Sequence, residues 1–268
     1  MQHKQKNSIL LPLAVFAGLA LLAWLLVTLV SGISFDKKQE KKEIQIRETQ
    51  AEDAASQIDA LVEANHGAQG VEDSQRRTDA AKLRAQLESG EVDVWLLMEK
   101  SAVLGDVRAA DFARYGFMDE SRVFAGESDT VEAIATHLDE LKALDPEYIF
   151  LCYGLNDASV GVWNTPEEYA AALILQISQL NQAVPNATVV VSSILPVQEP
   201  ALSGTPQWQN LPQLSAAVEA ACVEYGIRFV NNDALFKEHP EVYGADGIRL
   251  EKDIYRGWAI NLIVGAKS

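Results

Sequence analysis

Residues 102–112 read AVLGDVRAADF: an apolar run, a Gly-Asp pair, then the first turn of a helix. A strand ending in a turn and feeding a helix is the repeating unit of an α/β domain with a mainly parallel sheet. The residue just after such a turn sits beside helix-terminal N–H groups, which can stabilise a developing anion. Nucleophiles are often placed there. Here the position holds Val107, whose side chain has no lone pair to attack with and no proton to give up.

Working outward, five apolar runs read as strands: SAVLG (101–105), SRVFA (121–125), EYIFLCY (147–153), TVVVSSI (188–194) and IRFVN (227–231). Helical spacing fills the gaps at about residues 108–115, 129–143, 166–183 and 211–225, with a last helix at about 252–264. The start at 166 is marked by Thr165 as cap, Pro166 in the first position and Glu168 closing a capping box. The expected fold is an α/β domain built on a mainly parallel, five-stranded sheet. In a parallel sheet every strand's C-terminus faces one rim, and ligands bind there.

The chain has 268 residues, a formal net charge of −16 and two cysteines. Ile9 to Val30 carries no charge and, at about 1.5 Å per residue, is long enough to cross a hydrocarbon core of about 30 Å. A secretory signal peptide has a shorter apolar region and a small-x-small cleavage site, whereas Val30-Ser31-Gly32 is a weak one. We therefore expect a short cytoplasmic N-terminus (1–8), a membrane anchor (9–31) and an extracytoplasmic remainder. Lysines flank the span on both sides (Lys4 and Lys6; Lys37, Lys38, Lys41 and Lys42), so the positive-inside rule does not itself favour that orientation.

Residues 32–92 read as a charged helical stalk. Ile44, Ala51 and Ile58 recur every seven residues, with Ala54 and Leu61 offset by three and Arg47 breaking the seam. That leaves a plain solvated spacer and a dimerising coiled coil both open. The domain is expected over 93–268. Every acidic residue follows the span, and such charge argues against nucleic acid and against anionic lipid as partners. Cys152 and Cys222 lie in apolar runs and read as buried small hydrophobes. There is no CxxC, HExxH or Gly-rich phosphate loop, so no metal or nucleotide cofactor is expected.

Four blocks fall at strand ends: Gly105-Asp106-Val107, Gly126, Gly154-Leu155-Asn156-Asp157 and Asp246-Gly247-Ile248-Arg249. In order and spacing, residues 95–268 resemble the SGNH, or GDSL-type, hydrolases. Members of that family carry a Ser in a GDS turn, a Gly after the second strand, a GxND after the third and a DxxH before the last helix. The ILPV, TPEEY and DGIRL stretches, with Tyr255 and Trp258, agree. The resemblance implies a three-layer, flavodoxin-like form of the α/β fold, and ester hydrolysis or O-acyl transfer on envelope carbohydrate or small acyl esters. It also implies an oxyanion hole at Gly126 and Asn156 and a triad acid at Asp246. Anchored members often work beside a multi-pass membrane O-acyltransferase, so that is an implied partner.

Two positions depart from the pattern. Val107 stands where the nucleophilic Ser belongs and Arg249 where the His base belongs. Valine forms no acyl-enzyme, and an arginine keeps its proton at neutral pH. Loss of triad members leaves only about 10³–10⁴-fold catalysis over water in comparable enzymes. Ser128 has no evident base beside it, and His137 and His239 read as helix and loop residues. The expectation is a binding pseudo-hydrolase; a scaffold for envelope assembly and an active esterase with unorthodox residues are the alternatives. Arg249 is expected to pair with Asp246 or Asp106, or else to bind a ligand carboxylate or phosphate. Arg108 reads as a surface or Asp-paired residue. Trp163 and Trp208 follow strand ends and could stack on a sugar or cover the domain's own core, and residues 196–210 read as a loop able to act as a lid.

Overall fold

The computed structural model describes residues 71–268. The expected anchor and the stalk as far as residue 70 lie outside the described residues. Among the described residues no helix is long and apolar enough to cross a membrane.

All five expected strands form: β1 (Ser101–Gly105), β2 (Val123–Ala125), β3 (Tyr148–Cys152), β4 (Thr188–Ser192) and β5 (Arg228–Val230). They make one sheet in the order β2-β1-β3-β4-β5, parallel throughout. Because side chains alternate along each strand, the sheet buries two apolar faces. Val103, Phe150, Cys152, Val190 and Val230 face one core. Ala102, Leu104, Ile149, Leu151, Val189 and Val191 face the other.

The helices, numbered from the first described one, complete three layers. Over the first face lie α1 (Val71–Ser89), α2 (Val94–Met98), α3 (Val107–Arg114) and the last helix, α10 (Ile254–Lys267). Its centre is aromatic: Phe112 of α3 meets Tyr255 edge-on at 5.0 Å and Trp258 at 5.1 Å. The second face carries a 3-10 turn (Val131–His137), α4 (Leu138–Leu144), α6 (Pro166–Ala183) and α8 (Leu211–Glu224).

Several expectations need correction. Residues 71–89 are not free stalk. Ala80 and Leu87 of α1 are buried in the first core, Arg84 donates to Asn261 Oδ1 at 2.9 Å, and Arg256 donates to the Leu87 carbonyl. The domain therefore reaches back beyond residue 93. Four short helices were not expected: α2, α5 (Leu155–Val160), α7 (Glu199–Gly204) and α9 (Asp233–Glu238). The segment at 196–210 is not an open loop, because it contains α7 and a 3-10 turn at Pro206–Asn210. The expected helix at 129–143 divides into the 3-10 turn and α4. At the start of α6, Thr165 Oγ1 accepts the Glu168 N–H at 3.2 Å. Glu168 itself reaches one residue further back, to the N–H of Asn164 at 2.8 Å, so the capping box is not closed reciprocally.

Candidate functional site

The parallel sheet sends all five strand ends to one rim. Asp106 follows β1, Gly126 follows β2, Gly154 follows β3 and Ser193 follows β4. Gly154 has φ +128°, and a Cβ there would run into the Ile194 side chain. Only glycine permits that turn, which launches α5 and carries Asn156 to the rim.

At the first block, Asp106 caps α3 by accepting the Arg108 N–H at 2.9 Å. Val107, the first residue of α3, is buried. Arg108 is not at the surface; its side chain is 2% exposed. It folds back on Asp106 through Nε at 3.3 Å and Nη2 at 3.2 Å, and its Nη1 donates to the carbonyls of Leu195 and Pro196 at 2.9 and 3.2 Å. A buried ion pair persists only when its remaining donors are also satisfied. Here the partners come from two strand-end segments, the one after β1 and the one after β4.

Arg249 pairs with a carboxylate, but with neither of those expected. Its Nη1 lies 3.4 Å from Asp111 Oδ1, and its Nη2 donates to Glu127 Oε1. Asp111 is one helical turn beyond Val107, so Arg249 does lie beside the Val107 helix. Asp111 also accepts two bonds from Arg114, at 2.6 and 2.9 Å, and the Tyr255 hydroxyl stands 3.4 Å from it. Asp246 is exposed and accepts the N–H groups of Ile248 and Arg249 at 2.9 and 3.0 Å. It shapes the loop that presents Arg249 and does not bond the Arg249 side chain.

The Asn156 side of the expected oxyanion hole is engaged with its own chain. Asn156 Nδ2 donates to the carbonyls of Glu127 at 3.2 Å and Asp129 at 2.8 Å. The Asp129 carboxylate lies 3.0 Å from where a Gly126 side chain would begin. Asp157, next in the block, is buried. Its Oδ1 accepts the Val131 N–H at 3.0 Å, while Oδ2 is buried with no partner. Burial, reinforced by nearby Asp106, pushes this carboxyl up to about 7 against the pull of its backbone N–H partners.

Both tryptophans cover the domain's own core. Trp208 donates from Nε1 to the Leu155 carbonyl at 2.8 Å, which pins the 206–210 turn to α5. Trp163 meets Tyr169 edge-on at 6.1 Å, and its Nε1 is buried without a partner. His137 and His239 bond the neighbouring Glu140 and Glu241, and Ser128 is exposed. The cysteines are free and buried, and the described residues contain no cluster of metal-ligating side chains. Sequence reading passed over Asp111, Glu127 and Asp129. Only Asp111 left a trace, its spacing of three residues from Arg114 on a helix.

This arrangement can hold charge and order a loop, and the Val107 side chain has no group able to attack a carbonyl. Among solved structures, a lipase/acylhydrolase from Enterococcus faecalis is 18% identical, with a TM-score of 0.47 over 61% of this chain and 93% of that one. Axe2, an acetylxylan esterase from Geobacillus stearothermophilus, is 14% identical, with a TM-score of 0.45 over 63% and 94%. No curated protein matches the chain. The model of the GDSL-like lipase/acylhydrolase family matches residues 101–256, the stretch from β1 into α10 that carries every block described above. With more than half its length inside that match, the chain belongs to the GDSL-like lipase/acylhydrolase family.

Proposed function

We propose that this chain is a pseudo-hydrolase: a family member that has given up ester turnover and acts in recognition or assembly. It is held at a membrane by residues 9–31, with its domain outside the cytoplasm. The observation that carries this reading is the state of the two triad positions. Val107 is buried at the nucleophile position, and Arg249, at the base position, is tied between Asp111 and Glu127. Nothing at either position can attack a carbonyl or accept a proton. Envelope carbohydrate, acyl esters and a multi-pass O-acyltransferase are the ligands and partner that the family points to. A dimer through the stalk belongs to the same proposal.

The engagement of Asn156 favours the assembly form over one that holds an ester in the old cleft. An oxyanion-hole donor must aim at the developing charge to stabilise it, whereas this amide bonds the carbonyls of Glu127 and Asp129.

The test is acetyl-ester hydrolysis by the full-length chain in detergent, beside a Val107→Ser/Arg249→His variant. The natural chain is expected to match the protein-free blank. Activity in the variant alone would support a silent site on an intact frame. Turnover by the natural chain that survives repurification and is unchanged by Val107→Ala would overturn the proposal.

A further inference from the structure

The two sides of Arg249 are held differently. On its inner side stands Asp111, 1% exposed and fixed by both bonds from Arg114. On its outer side stands Glu127, whose side chain is 74% exposed and, among the described residues, has Arg249 as its sole side-chain partner. The backbone beneath Glu127 is pinned independently, because Asn156 holds the carbonyls of Glu127 and Asp129. The Glu127 side chain can therefore rotate away without moving the loop that bears it. Charge supports the exchange. Asp111 and Glu127 balance Arg114 and Arg249; with Glu127 turned out, the cluster carries one uncompensated positive charge. A guanidinium already aimed by a buried anchor presents a planar fork that matches a carboxylate.

We propose that Glu127 is an internal stand-in for a ligand carboxylate, and that the outer half of Arg249 is a receptor for a small carboxylate-bearing molecule that enters by displacing the Glu127 side chain. This deepens the reading above and rests on it in one respect only, that Arg249 is not needed as a base. The carboxylate has two chemical sources, an acidic sugar or an amino acid. In the second case an ammonium group would meet the displaced Glu127.

The experiment uses the full-length chain labelled with ¹⁵N-arginine, following the Arg249 Nε–Hε resonance at constant ionic strength. The probes are glucuronate, alanine and, as the neutral control, glucose. With the internal competitor removed, Glu127→Gln should bind a carboxylate probe roughly tenfold more tightly than the natural chain, because a tethered group competes at high effective concentration. Glucose should give no saturable shift. A ligand-detected titration of Arg249→Gln should lose the saturable response. Saturation by glucuronate alone identifies an acidic sugar, by alanine alone an amino acid. Equal affinities in the natural chain and Glu127→Gln, binding that survives Arg249→Gln, or no saturation of Glu127→Gln by either probe would overturn the receptor. Ester turnover by the natural chain would instead overturn the pseudo-hydrolase reading and leave these titrations unchanged.

Discussion

Two arginines at the same rim are held in opposite ways. Arg108 is 2% exposed and locked by Asp106 and two backbone carbonyls. Arg249 is 34% exposed and shared between a buried and an exposed carboxylate. The first ties together the segments that follow β1 and β4. The second spans from the Asp246–Arg249 loop to α3 and the loop after β2, with one end open to solvent. What separates them is access to water: it makes one pair part of the framework and leaves the other exchangeable.

The largest expected effect comes from breaking the locked pair. Arg108→Ala strands Asp106 in the interior and should cost about 3–5 kcal/mol, as removal of one partner of a buried pair does. Urea denaturation measures it, and a cost under about 1 kcal/mol would erase the contrast with Arg249.

Asp157 sharpens the comparison, being a buried carboxyl with no bonded cation at all. Its carboxyl is raised to about 7 in the folded chain, against about 4 in an unfolded one. Between those values the folded state keeps a proton that the unfolded state has released. Its contribution is therefore fully present below about pH 4, falls as pH rises toward 7, and is flat above. Asp157→Asn should flatten that part of the stability profile. An unchanged slope across pH 4–7 in the variant would show that the carboxyl is paired after all.

The smallest effect belongs to the exposed pair. Glu127→Gln should change stability by no more than about 1 kcal/mol, and the difference should shrink further with added salt. A loss as large as that of Arg108→Ala would make Glu127 a framework residue and not an exchangeable one.

The five strands were legible because each is a short apolar run bounded by turn residues, and each block could be placed at a strand end. Val107 and Arg249 were legible as departures from a pattern. Their partners were not, since Arg249 meets Glu127 and Asp111 across separations of 122 and 138 residues. A reading confined to neighbours favours Asp246, three residues away, whose carboxylate instead goes to backbone N–H groups. Arg108 does pair with an Asp, one of its two expected roles, but its burial was not legible, because the carbonyls that make it tolerable come from residues 195 and 196. The short α5 was hidden because a GLND run looks like loop when the Gly154 turn and its Ile194 contact are unseen. The docking of α1 did leave a mark: Ala80, Leu83 and Leu87 recur at helical spacing, a narrow stripe lost among the surrounding charges.

That docked helix decides where the chain can be cut. A fragment starting at residue 93 would lose Leu87 from the first core, deprive Arg256 of its carbonyl acceptor and leave Asn261 without Arg84. Asn261 in turn donates to Asn232, which reaches Ser192 at the end of β4, so the wound would run from the domain's outer surface to the strand ends beneath the rim. A soluble version of this domain should begin upstream of Val71, and a protease that trims it back to its smallest durable piece should stop short of α1.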